Sequence, residues 1–196
     1  MSKVRLYGAT SGYVELAAPD VADDGVVALP TSANGFGKII AVKHALFTGT
    51  QSASVGGEAS IAVTDLSITH ALSSASNKLI VSAYIGVSST SAQDGRVGLS
   101  VADDGTLILI GDANGTRTRV GAGGAVTASG GSQVVTMPSV TFVYEPGDTA
   151  SHTYTVHAIN ITGSTRTLYI NRSENFPDSN GVPLGTSGFV IQEVAA

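Results

Sequence analysis

The sequence predicts an all-β fold: an antiparallel jelly-roll or β-sandwich domain carrying an extended N-terminal arm of short strands. Three observations carry that prediction. Apolar residues alternate with polar ones over several segments after Lys38, which is the period of a half-buried strand. Turn signals separate those segments at intervals of about 8–12 residues, the spacing of sandwiches and barrels. No segment has a helical period.

The first 37 residues read as the arm. Val4-Arg5-Leu6-Tyr7, Tyr13-Val14-Glu15-Leu16 and Val26-Val27-Ala28-Leu29 are short apolar pieces cut by Gly, Pro and an Asp23-Asp24-Gly25 turn. Pieces so short bury little alone, so this segment is expected to lie along a partner chain. Leu6, Tyr7, Tyr13, Leu16, Val26 and Leu29 are its expected attachment residues.

Residues 38–196 read as the compact domain. Ile39 to Phe47 is its first expected strand, and Leu66, Ile68, His70 and Leu72 alternate along the next. From Lys78 to Val87 the pattern is clearest. Leu79, Val81, Ala83, Ile85 and Val87 share a core face, and Ile80, Ser82, Tyr84 and Gly86 share the other. Val97, Leu99 and Val101 run into Asp103-Asp104-Gly105 and then Thr106 to Ile110, a hairpin signal. Residues 121–132, almost all Gly, Ala and Ser, read as a flexible or turning connection. Val140, Phe142 and Tyr144 share a face before the Glu145-Pro146-Gly147-Asp148 turn. Further strands are expected at His152–Ile159, Thr167–Arg172 and Phe189–Val194, the last after a long loop from Asn175 to Gly188. Ile80, Tyr84, Tyr144 and Tyr154 are the expected contacts between copies of the chain.

Composition narrows the function. Apolar residues make up 42% of the 196 residues and charged ones only 13%, yet no run reaches the roughly 18 apolar residues of a spanning helix. The expectation is a soluble chain without an export signal or membrane insertion. With no Cys, disulfides and thiolate chemistry are excluded, and oligomerisation is the expected source of extra stability. A net charge of -5 with scattered basic residues argues against nucleic acid as a partner.

Searching for chemistry yields no catalytic, cofactor or metal site. His152 and His157, five apart on an expected strand, face opposite sides, and His44 and His70 show no ligand spacing. In a symmetric oligomer a histidine on the axis would meet its own copies, but the sequence does not choose among the four. Asp23-Asp24-Gly25 and Asp103-Asp104-Gly105 lack the calcium-loop spacing and read as turns. Glu145, Asp148, Glu174 and Asp178 fall in turns or loops, and the chain has no Trp to stack a sugar, so glycoside cleavage is not expected. The Asn114, Asn160 and Asn171 sequons read as surface loop or strand residues.

Two stretches carry a family resemblance. Leu6-Tyr7-Gly8-Ala9-Thr10-Ser11-Gly12-Tyr13-Val14-Glu15-Leu16-Ala17-Ala18-Pro19, continuing to Val26-Val27-Ala28-Leu29-Pro30, resembles an element near the N-termini or shafts of bacteriophage fibre proteins. Tyr154-Thr155-Val156, Gly163-Ser164-Thr165, Leu168 to Ser173 and Gly185 to Val194, in that order, are similar to the C-terminal region of phage minor structural and fibre proteins with trimeric jelly-roll heads. The resemblance implies a non-enzymatic virion structural protein of the particle exterior, made in the host cytoplasm. It would be a homotrimer anchored to other virion proteins by its arm. The missing shaft favours a capsid decoration (cement) or short head-fibre role. The alternative is a tail-fibre or receptor-binding protein contacting a host surface glycan or receptor.

Overall fold

The computed structural model describes residues 3–7, 13–17, 39–90, 95–126, 134–175, 177, 180 and 182–196. The chain divides into two compact units, Met1–Gly35 and Phe36–Ala196. In the first, β1 (Lys3–Tyr7) and β2 (Tyr13–Ala17) pair antiparallel with each other. Leu6 stands opposite Val14, Tyr7 opposite Tyr13 and Val4 opposite Leu16. The expected attachment residues Val26 and Leu29 lie outside the described residues.

The second unit is all-β. Its strands are β3 (Ile39–Phe47), β4 (Gln51–Val55), β5 (Ser60–Ala71), β6 (Lys78–Tyr84), β7 (Val87–Ser89) and β8 (Gly95–Asp103). They continue with β9 (Thr106–Leu107), β10 (Ala122–Val126), β11 (Ser139–Tyr144), β12 (Ser151–Asn160), β13 (Arg166–Ile170) and β14 (Ser187–Val194). One sheet is ordered β11-β6-β14-β3 and the other β10-β8-β12-β5, with β9 paired to β8. The pairs nest: β3 with β14, β5 with β12, β6 with β11, and β8 with β10, all antiparallel. This is one long two-stranded ribbon rolled so that successive pairs alternate between two sheets, which is a jelly roll. Strands β4, β13 and β7 form a small third sheet on three of the crossings between the two.

The core lies between the inner faces. Leu79, Val81, Ala83, Phe189 and Ile191 of one sheet meet Val63, Leu66, Ile68, Val97, Leu99, Val101, Tyr154 and Val156 of the other. All are buried, and each large apolar side chain among them contributes about 1.5–3 kcal/mol of transfer free energy. On β5, Asp65 takes a positive φ of 59°, and this irregularity lets Val63 and Leu66, three residues apart, both point inward. The expected strand from Lys78 to Val87 is two strands. Its core face is continuous, but the ribbon leaves the sheet after Tyr84 and resumes as β7 in the small sheet.

Asp103-Asp104-Gly105 forms the hairpin that the sequence predicts. Asp103 pairs with Thr106, and both central residues take positive φ, Asp104 at 45° and Gly105 at 84°, as a two-residue type I′ turn requires. The returning strand is only Thr106–Leu107 rather than reaching Ile110.

Residues 121–132 require a correction. Ala122–Val126 is a strand paired with β8, not a flexible connection. Its Gly-rich sequence is a packing requirement: Gly123 stands opposite Gly98, and a Cβ on Gly124 would meet the Thr136 hydroxyl at 2.9 Å. Asn160 and Asn171 are also corrected. Both are fully buried and serve as internal backbone ligands instead of lying on the surface.

Candidate functional site

The register of β11-β6-β14-β3 defines the outer face of that sheet row by row. Val143, Ile80, Gln192 and Val42 form one row; Thr141, Ser82, Val190 and His44 the next; Ser139, Tyr84, Gly188 and Leu46 the third. Val42, Leu46 and Val143 are 56%, 56% and 59% exposed, so this face presents β-branched and aliphatic side chains to solvent. Two of its polar members pair with each other, the Ser82 and Thr141 hydroxyls lying 3.0 Å apart. A shallow depression of about 420 Å³ crosses it, bordered by His44, Leu46, Tyr84, Thr141 and Val190.

The other sheet is different. On β5 and β12 its outer face is a hydroxyl ladder, Ser67 to Thr155 and Thr69 to Thr153, each at 3.1 Å. On β8 it is covered by the chain that follows β9: Val120 packs on Gly98, and Ser100 Oγ donates to the Leu109 carbonyl. One sheet is therefore finished as a protein surface, and the other retains exposed apolar area.

The expected contact residues divide accordingly. Ile80 and Tyr84 stand on the apolar outer face. Tyr144 and Tyr154 do not. Tyr154 is 1% exposed and packs inside its own chain, edge to face with Tyr144 at 6.1 Å between ring centres. These two are corrected from surface contacts to inner-face residues. Parity along the strands placed Tyr144 with Phe142 on a shared face, and that face is the core side.

At the end of the sandwich where β8 turns into β9 and β11 passes to β12, five polar side chains converge. His152 Nδ1 lies 2.8 Å from Asp103 Oδ1 and 3.4 Å from Asp104 Oδ2, and its Nε2 lies 3.0 Å from Asp148 Oδ1. Tyr144 donates its hydroxyl to Asp103 Oδ2 at 2.8 Å, and the Thr153 amide donates to Asp104 Oδ1 at 2.9 Å. The imidazole stacks on the Tyr154 ring, 6.0 Å between centres. Hydrogen bonds to Asp148 and Asp103 raise the His152 pKa, and the bond to His152 lowers that of Asp148. Burial, then the Asp103 hydrogen bond and the surrounding negative charge, pushes the Tyr144 hydroxyl up to about 12. Tyr154 is raised in the same direction, first by burial and then by the Asp103 charge. Asp103, Asp104 and His152 each offer one ligand atom, and these three atoms lie within 4.8 Å of one another.

In the sequence Asp103-Asp104-Gly105 reads as a turn and His152 as a strand histidine, and each is that. Their meeting depends on the β8–β12 pairing, Asp103 with Tyr154, which puts the turn beside the start of β12. The hairpin signal named one half; nothing local names the other.

The remaining histidines are apart from this group. His44 stands on the outer face of β3, and His157, on the opposite side of β12 from His152, bonds Ser60 and has its pKa lowered by burial. His70 is buried against Glu193, Nε2 to Oε2 at 2.9 Å. Glu145 pairs with Lys78 on the surface at 2.6 Å, and Asp178 lies outside the described residues.

No protein-family model matches the chain, and no curated protein matches it.

Proposed function

We propose that this chain is a non-enzymatic structural protein of a bacteriophage particle's exterior, a homotrimer of jelly rolls. Its first 37 residues anchor it to another virion protein, in the manner of a capsid decoration or short head-fibre protein. The observation that supports this best is the contrast between the two sheets. The outer face of β11-β6-β14-β3 keeps Val42, Leu46 and Val143 more than half exposed, while the other sheet is covered or hydroxylated. Sister copies burying that face would supply the stability that a chain without Cys cannot draw from disulfides. The separate N-terminal unit and the phage-like strings at 6–30 and 154–194 support the arm-and-head arrangement.

The test is the mass of the full chain in dilute solution by light scattering. The expected value is three times the 19.7 kDa chain, and Leu46→Glu with Val143→Glu should give a folded monomer. A wild-type chain that stays monomeric overturns the trimer. The virion assignment is tested by antibody labelling of purified particles. Copies on the head at tens to hundreds per particle support a decoration role, and no label on any particle overturns it.

A further inference from the structure

We propose that Asp103, Asp104 and His152 form a binding site for a divalent transition ion of the zinc class, a role independent of the structural function above. The three ligand atoms lie within 4.8 Å of one another, and the two spacings from His152 are near those of a coordination shell. Metal–ligand bonds of about 2.1 Å set ligand atoms about 3.0 Å apart on an octahedral edge and about 3.4 Å on a tetrahedral one. His152 Nδ1 stands 2.8 Å from Asp103 Oδ1 and 3.4 Å from Asp104 Oδ2.

The heteroatom of each ligand that faces away from this point is already held. Asp148 faces His152 Nε2, a carboxylate–histidine arrangement in which a metal ion would take the place of the proton that joins Nδ1 to Asp103. Tyr144 holds Asp103 Oδ2, and the Thr153 amide holds Asp104 Oδ1. The turn that carries the two aspartates is itself fixed, with Asp104 N donating to the Thr153 carbonyl at 3.0 Å. The shell is thus organised without the ion.

Charge points the same way. Three carboxylates, Asp103, Asp104 and Asp148, surround one imidazole, and among the described residues His152 is their only ion-pair partner. A protonated imidazole leaves two negative charges in excess. A divalent ion with a neutral imidazole leaves one. Asp103 is only 8% exposed, so its charge is poorly compensated by water. A hollow of about 240 Å³, bordered also by Thr106 and Ile108, leaves the remaining coordination positions open to solvent. An imidazole ligand disfavours calcium and magnesium, which take oxygen donors, and selects zinc and its neighbours.

The competing reading places a proton on Nδ1 where the ion would sit. Chelator-stripped full-length protein titrated with Zn²⁺ by calorimetry, and with Co²⁺ by visible absorption, separates the two. The expected result is one ion per chain, d–d bands of an N/O shell, and a melting temperature raised by Zn²⁺. Asp104→Asn is the informative variant. Asn accepts the positive φ of a type I′ turn, so metal-free stability should be unchanged while affinity falls at least about tenfold. His152→Gln should abolish binding, and His44→Gln, on the sheet face, should leave it intact. Absence of saturable one-to-one uptake, wild-type affinity in both Asp104→Asn and His152→Gln, or loss of binding in His44→Gln would each overturn the site.

Discussion

The ring of Tyr84 lies across Gly188 of the neighbouring strand, so closely that a Cβ on Gly188 would stand 2.6 Å from Cε1 and 2.8 Å from Cζ. The absent side chain lets the tyrosine lie down along the sheet and border the apolar depression. Gly188→Ala meets only the far end of a flexible side chain, so the ring swings outward. Unfolding free energy should change by less than about 1 kcal/mol, below the usual cost of overpacking. In the proposed trimer, self-association should weaken by about tenfold, as for the loss of one well-packed interface aromatic. Denaturant unfolding with light scattering reads both. Equal loss of fold and assembly would mean that Tyr84 serves the protomer rather than the interface.

Gly98 offers the opposite case. A methyl there would stand 2.5 Å from Val120 Cγ1 and 3.2 Å from Ile161 Cδ1. Gly98 is buried on β8, which is held on both sides by β10 and β12, so neither strand can step away. Gly98→Ala should cost about 1–3 kcal/mol of stability, measured as a shifted urea midpoint with unchanged slope. A neutral result would show that the 108–121 segment lifts off β8 at little cost.

The same contact shows what the sequence conveys and what it hides. Strands whose inner face is built from Leu, Val and Ile announce themselves by alternation: every expected core position from Leu79 to Val87 is buried. The Asp104-Gly105 turn is legible because only a few residues accept positive φ at both positions. Strand β10 is not legible, because small residues chosen for close approach look like residues chosen for flexibility. Tyr154 reads as a surface aromatic because alternation gives two faces without saying which is inner. Asp103, Asp104 and His152 meet across 49 residues of chain, and only the pairing of β8 with β12 joins them.

Asn160 and Asn171 act as internal struts. Asn160 donates Nδ2 to the carbonyls of Val55, Gly56 and Ser164 at 2.8–3.1 Å, and its Oδ1 accepts from the Thr162 amide. Asn160→Ala strands these groups in a fully buried site and should cost about 3 kcal/mol. Asn171 combines a φ of 60° with Nδ2 bonds to the Phe47 and Gly49 carbonyls. Asn171→Gly loses the bonds but relieves the backbone; Asn171→Ala loses the bonds and keeps a strained φ. The alanine variant should therefore be less stable than the glycine variant by about 1 kcal/mol. Equal stabilities would show that the positive φ relaxes once the side chain is gone.

Glu193 gives the fold its acid limb. The carboxylate is 2% exposed and accepts from the Ser73 amide at 2.8 Å, Ser73 Oγ at 2.7 Å, Asn77 Nδ2 at 2.6 Å and His70 Nε2 at 2.9 Å. Burial would push its pKa up, but the bonds from Ser73, Asn77 and His70 outweigh burial and hold it at about 2, from a usual 4.5. Between those values the unfolded chain binds the extra proton, so stability rises with pH. The contribution is complete above about pH 4.5, shrinks as pH falls, and is gone near pH 2. Its full size is about 3 kcal/mol by linkage at 1.36 kcal/mol per pKa unit. Denaturant midpoints of the wild type between pH 2 and 6 should show this slope. Glu193→Gln should be less stable at pH 7 and should flatten that part of the curve, because an amide has no proton to gain. A variant retaining the wild-type slope would place the acid sensitivity on another carboxylate.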